Sequence, residues 1–158
     1  YSTGDFEEAV SRARKAIPDV AITTDVMVGF PSETEAEFEE SYRFCQRMNF
    51  ANIHVFPYSP RSGTQAAGMP HQIDDKVKRA RAWKMLALAE ESAQHFRTQF
   101  LGQTMPVLWE REVEEGVWSG LTSNYIRVFA DSREPLANCL QPARLVSAYK
   151  KGMQGKLV

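Results

Sequence analysis

The residues best suited to chemistry gather at the ends of two short strand-like runs. The first, TTDVMVGFPSET, carries Asp25, ends in Gly29 and continues through Phe30, Ser32 and Glu33. The second, NIHVFPYSPRSGT, carries His54, Val55 and Phe56, then Tyr58, Arg61 and Thr64 among prolines. A glycine followed by a serine-led helix start lets a ligand approach the backbone and offers first-turn amides to a polar or anionic group. The same residues also suit an ordinary strand-to-helix turn. Arg61, in a proline-framed loop, is either a clamp on a phosphate or carboxylate or a solvated cation. Asp25 needs a partner if its strand is buried, and is otherwise a structural acid.

A third group lies near the end of the chain. Tyr125 and Arg127 are two apart in NYIRV, the spacing that places side chains on one face of a strand. An exposed aromatic beside an arginine suits base stacking with a phosphate contact. Lys150, Lys151 and Lys156 would extend that surface, and the acidic run Glu110 to Glu115 keeps it from being uniformly basic. The alternative is a solvated β surface with Tyr125 turned inward. No second histidine or cysteine stands at metal-ligand spacing from His54, His71 or His95, and neither a Ser–His–Asp set nor a P-loop pattern occurs.

These residues need elements to hold them. Phe6, Val10, Ala13 and Ile17 follow helical spacing, and Pro18 ends that helix. VAITTDVMVGF alternates as a strand. Ser32 with Glu35 has the spacing of a capping box for a helix whose stripe is Phe38, Tyr42, Cys45 and Met48. A strand through His54 follows. Helix, strand, helix, strand with short connections implies parallel strands and an α/β fold. A long helix, roughly Asp74 to Phe100, has Ala82, Met85, Ala89, Ala93, Phe96 and Phe100 on one face; five of the nine residues Lys76 to Lys84 are basic. Beyond Gly102, TMPVLWERE, VWSGLTSN, YIRVFAD and a tail through Leu145 and Leu157 read as short strands of a small barrel.

With 43% hydrophobic and 25% charged residues, the composition is that of an ordinary soluble protein. No apolar run reaches the roughly 20 residues of a membrane helix, so no membrane partner is expected. Cys45 and Cys139 lack C-x-x-C spacing and read as incidental thiols of a cytoplasmic protein. The net charge of −1 hides an asymmetry. Residues 1–60 carry ten acidic and five basic side chains, and 61–158 carry ten acidic and fourteen basic, which permits a polyanionic partner in the second part. The chain opens on Tyr1 and two strands cannot close a barrel, so it reads as a piece of a longer protein with βα units upstream.

Taken together, TTDVMVGFPSET, HVFPYSPRSGTQAA and GLTSNYIRV resemble the radical S-adenosylmethionine tRNA methylthiotransferases, in order and over essentially the whole chain. GFP-x-ET is shared by many radical enzymes, whereas YSPR-x-GT-x-A is far more specific. HVFPYS with GLT-x-NYI most resembles the branch acting on N6-threonylcarbamoyladenosine at tRNA position 37. The resemblance implies the C-terminal part of a parallel (β/α) radical barrel over residues 1–73, a connecting helix over 74–101 and a TRAM-like, all-β RNA-binding barrel over 102–158. It implies sulfur insertion and methylation at C2 of the adenine, with one S-adenosylmethionine cleaved to a radical and another giving the methyl group. Asp25, Gly29, Phe30, Glu33, Val55 and Phe56 would then touch S-adenosylmethionine, and Tyr58, Arg61 and Thr64 the substrate. Tyr125, Arg127, Lys150 and Lys151 would touch RNA, an anticodon stem-loop bound by a monomer.

The family holds one four-iron, four-sulfur cluster with a C-x-x-x-C-x-x-C loop and a second with cysteines of another domain. Neither set occurs here, so no cluster is expected on this chain, which alone would be inactive. Ser32 stands where the family commonly has glycine. Two other readings stay open: a methylthiotransferase for N6-isopentenyladenosine, and a stand-alone RNA-binding adaptor.

Overall fold

The computed structural model describes residues 2–158; the reading placed on Tyr1 lies outside them. The elements are α1 (Thr3–Ala16), β1 (Thr23–Val28), α2 (Glu35–Met48), β2 (Asn52–Pro57), a 3₁₀ turn at Gln65–Gly68 and α3 (Asp75–Thr98). Five strands follow: β3 (Thr104–Glu114), β4 (Val117–Thr122), β5 (Arg127–Asp131), β6 (Leu140–Tyr149) and β7 (Gly152–Leu157). By their contacts the described residues form two compact units, one of residues 2–7 with Ile22–Ala93, the other of Glu8–Ala21 with Gln94–Val158.

The first unit is α/β. β1 and β2 pair in parallel, with Asp25 opposite His54 and Met27 opposite Phe56. This is the pairing that the alternation of helices and strands requires, and no other strand among the described residues joins the two. Thr24, Val26, Val28, Ile53 and Val55 lie on the covered face. Phe6 packs edge-on against Phe44 and Phe50, and Ser92 of α3 donates its hydroxyl hydrogen to the Phe50 carbonyl at 2.5 Å. The other face is open: Asp25, Met27, His54 and Phe56 are all exposed.

The capping box of α2 lies two residues beyond the expected Ser32–Glu35 pair. Thr34 is the N-cap and accepts from the Glu37 amide at 3.2 Å, while the Glu37 carboxylate accepts from the Thr34 amide at 2.7 Å. Ser32 instead sits in the left-handed region at φ 70°, where a side chain is disfavoured and glycine is at home.

The second unit contains a closed five-stranded barrel in the order β3-β4-β5-β7-β6, antiparallel except where β5 meets β7. Its core is built from Val107, Trp109, Val128, Ala143, Leu145 and Met153, all fully buried. Gly155 permits the tight closure. A Cβ there would come within 2.6 Å of Val128 Cγ1 and 3.2 Å of the Ala143 Cβ. The strand expected from Tyr125 begins only at Arg127. Tyr125 lies in the preceding turn at φ 64°, so it does not share a strand face with Arg127.

Candidate functional site

The end of β1 is fixed by a charge network that sequence reasoning did not find. The Glu33 carboxylate accepts the Gly29 amide hydrogen at 2.7 Å. Arg81, on α3 and 6% exposed, donates through Nη1 to that same Glu33 oxygen at 2.6 Å and to the Glu33 carbonyl at 3.1 Å. Its Nη2 donates to Glu35 at 3.0 Å, and its guanidinium lies 5.4 Å from the Phe38 ring centroid. A buried arginine is tolerated because its planar fork is satisfied on two sides. The only sequence signal was helical phase, since Arg81 and Lys78 lie three apart on the side of α3 that carries Met85 and Ala89.

Gly29 also has a role other than ligand approach. It lies at φ +73°, and a Cβ on it would meet the Lys78 side chain at 2.2 Å, so the packing of α3 already occupies that space. Lys78 is buried, donates to the Tyr58 carbonyl at 3.4 Å and pairs with Asp75 at 2.7 Å. The hydrogen bond from Lys78, followed by its charge, holds the Asp75 carboxyl below the usual range.

Of the six residues expected at the cofactor, Asp25 and Phe56 lie on the open sheet face and Phe30 is partly exposed at the β1 end. Val55 points to the covered face, and Gly29 and Glu33 are engaged in the network just described. Phe30, Met27 and Phe56 leave 40%, 55% and 51% of their surface open. Both of the bonds that Glu33 accepts from Gly29 and Arg81 fall on one oxygen, Oε2.

The loop after β2 is divided in the same way. Tyr58 is buried, its ring edge-on to Phe30 at 5.4 Å and its hydroxyl without a partner among the described residues. Thr64 caps the 3₁₀ turn, accepting from the Ala67 amide at 3.3 Å and donating to the Arg61 carbonyl at 2.8 Å. Arg61 itself is exposed in this loop. Among the described residues no group of histidine, cysteine or carboxylate side chains is arranged to hold a metal ion. Cys45 is buried and Cys139 exposed, both free, and burial pushes the Cys45 thiol up.

In the barrel unit the β4–β5 turn is built by buried polar groups. Thr122 Oγ1 donates to Asn124 Oδ1 at 2.6 Å and accepts from the Ile126 amide at 2.9 Å, and Asn124 Nδ2 donates to the Asp19 carbonyl at 3.1 Å. Ile126 turns into the core and Tyr125 outward, with 79% of its surface exposed. Two of the four cations expected around it, Arg127 and Lys150, are engaged by the acidic run. Arg127 pairs with Glu110 and donates to Ser119 Oγ at 3.3 Å, and Lys150 pairs with Glu114 at 2.6 Å. The hydrogen bond to Glu114 raises the pKa of Lys150 above its ordinary value. Lys151 is exposed in the turn between β6 and β7. No helix among the described residues is long and apolar enough to cross a membrane.

No family model matches the chain. Among curated proteins, the threonylcarbamoyladenosine tRNA methylthiotransferase MtaB of Bacillus subtilis (strain 168) is 34% identical over 162 residues, covering 100% of this chain and 36% of its own length. A tRNA-2-methylthio-N(6)-dimethylallyladenosine synthase of Syntrophotalea carbinolica is 35% identical over 161 residues, again covering 100% of this chain and 36% of its own length. The ribosomal protein uS12 methylthiotransferase RimO of Thermosynechococcus vestitus is 38% identical over 112 residues, 71% of this chain and 25% of its own length. The chain therefore spans little more than a third of the first two of these relatives.

Proposed function

We infer the function from one premise: the chain belongs to the methylthiotransferase family. It is the C-terminal part of a radical S-adenosylmethionine tRNA methylthiotransferase, whose product is the 2-methylthio form of N6-threonylcarbamoyladenosine at tRNA position 37. The observation that carries this reading is the MtaB relative, aligned at 34% identity along the entire chain, through both the GFPSET strand end and the barrel.

On this reading residues 1–73 are the end of a (β/α) barrel, 74–101 a connecting helix and 102–158 a TRAM domain. The open face of Asp25, Met27, His54 and Phe56 is the side on which S-adenosylmethionine lies, with Phe30 closing one end. When bound, S-adenosylmethionine supplies the hydrogen-abstracting radical and the methyl group. Glu33 and Arg81 hold the β1 end in place, and the buried Tyr58 ring supports Phe30 from behind. Arg61 is free to meet an anionic group of the substrate, such as the carboxylate of a threonylcarbamoyl substituent. Tyr125 and Lys151 contact the anticodon stem-loop, and Arg127 and Lys150 join them on giving up their carboxylates. The two four-iron, four-sulfur clusters take their thiolates from outside this chain, which acts as a cytoplasmic monomer and is inactive by itself.

The test is mass analysis of tRNA nucleosides from a host that lacks its own methylthiotransferases and expresses the full-length protein. Methylthio-threonylcarbamoyladenosine is expected. A methylthio-dimethylallyl product would keep the chemistry and overturn the substrate, a reading favoured by the second relative at 35% identity. No methylthio product from soluble, cluster-loaded protein would overturn the function. In that case the barrel stands as an RNA-binding adaptor.

A further inference from the structure

The chain buries two of its three indoles, Trp109 completely and Trp118 to 7% exposure, yet leaves 74% of Trp83 open on α3. A tryptophan this exposed forgoes a large apolar burial, and its surroundings suggest a reason. Residues three, four and seven apart on a helix share a face. That phase places Lys76 and Arg79 beside Trp83, about 10 Å and 6 Å back along the axis toward the N-terminus. Of the five cations between Lys76 and Lys84, Lys78 and Arg81 are buried, and Lys84 pairs with Glu39 while lying 4.9 Å from the Tyr42 ring centroid. The remaining two, Lys76 and Arg79, are exposed and are the two on the Trp83 stripe. Asp75, one turn before Arg79, pairs with Lys78 and feels the Arg79 charge only as a lesser influence. Leu86 continues the stripe and is 46% exposed.

We propose that the Lys76–Arg79–Trp83 stripe of α3 is an RNA contact, with Trp83 stacking on an unpaired base and the two cations meeting phosphates of the same strand. This rests on the RNA reading above and extends it to a surface of the first unit. Charge complementarity selects the occupant. An indole flanked by two exposed cations, neither of them in an ion pair among the described residues, matches a polyanion with flat faces, and stacking on a single-stranded loop tolerates any base. A purely apolar partner would leave both cations against a face with nothing to pair them.

The test titrates the chain with an RNA stem-loop whose loop is unpaired, reading both affinity and indole emission. Because Trp109 and Trp118 are buried, quenching and a blue shift of the exposed component report on Trp83. Trp83→Ala is expected to weaken binding about 5- to 150-fold and abolish the quench, with Trp83→Phe restoring most of the affinity. Lys76→Ala and Arg79→Ala should each lower the logarithmic salt slope by about 0.7. Wild-type affinity in Trp83→Ala, with binding lost in Tyr125→Ala, would overturn this contact and leave the RNA reading intact. No RNA binding by the unaltered chain at low ionic strength would overturn both. A self-associating chain that Trp83→Ala renders monomeric, with RNA affinity unchanged, would assign the stripe to a second copy and overturn the proposal. Trp83 is a surface residue, so an unchanged thermal midpoint separates lost binding from lost folding.

Discussion

Arg81→Met is the sharpest test of how the β1 end is held. Arg81 donates to two carboxylates of very different exposure: the Glu33 side chain is 14% exposed and the Glu35 side chain 70%. The Glu35 end is close to a surface pair and contributes at most about 1 kcal/mol. Loss of the Glu33 end leaves a mostly buried carboxylate with only the Gly29 amide, and breaking such a pair costs about 3–5 kcal/mol. The remaining Gly29 bond puts the expected loss near the lower limit, about 3 kcal/mol. Methionine keeps an unbranched apolar stem, so the loss reports chiefly the guanidinium's charge and hydrogen bonds rather than volume. Glu33→Gln retains an acceptor for Gly29 and removes the charge. The double variant should therefore be more stable than the sum of the singles by about 2 kcal/mol. Urea unfolding followed by far-UV ellipticity supplies the numbers. A loss below about 1 kcal/mol for Arg81→Met, or additive singles, would refute the account of Glu33 as a buried carboxylate held by Arg81.

Three further outcomes can be checked on the same protein. Gly29→Ala meets Lys78 at 2.2 Å and sits at φ +73°, so a loss of at least about 1–2 kcal/mol is expected in the same urea assay; an unchanged midpoint would mean that α3 yields freely there. Thr34→Ala removes the cap of α2 and should cost about 1 kcal/mol near neutral pH. The hydrogen bonds from Thr34 lower the Glu37 pKa, so that stabilisation is present above the unfolded value and fades as pH falls through the folded one; a variant gap that widens in acid would contradict the box. Iodoacetamide should label Cys139 well before Cys45, which is buried and has its thiol pKa raised, and equal labelling rates in the native protein would refute that burial.

The order of elements, the parallel pairing and the small barrel were legible because each is written in local periodicity. What was not legible was decided by side-chain contacts, some distant and some local, that periodicity does not report. PSETEAE contains two overlapping capping-box spacings, Ser32 with Glu35 and Thr34 with Glu37. Arg81, more than forty residues on, takes Glu33 and Glu35, and Glu37 is left to make the box. NYIRV alternates like a strand, yet buried bonds among Thr122, Asn124 and Ile126 close a turn there and push Tyr125 out. The cations of Lys76 to Lys84 read as one cluster, but helical phase separates them into two buried supports, one surface pair and two exposed on a stripe. Gly29 was expected to admit a ligand, and only the fold shows that a lysine stem fills the space.

On the RNA reading, the acidic run in β3 has a consequence for how the barrel binds. Glu110 and Glu114 engage the cations, Arg127 and Lys150, that would otherwise attract phosphate from a distance. Both pairs are at least one-third exposed, so each is a weak surface pair, and a well-placed phosphate can exchange for the carboxylate at little loss. A badly placed phosphate gains nothing over the carboxylate already present. Binding to arbitrary polyanions is thereby weakened more than binding in a register that brings phosphates to both sites at once. Tyr125 needs no such exchange, because its turn is built before any RNA arrives and its ring is already exposed. The barrel then contributes fit and stacking, and Arg127 and Lys150 add little long-range attraction of their own because each already has a carboxylate partner.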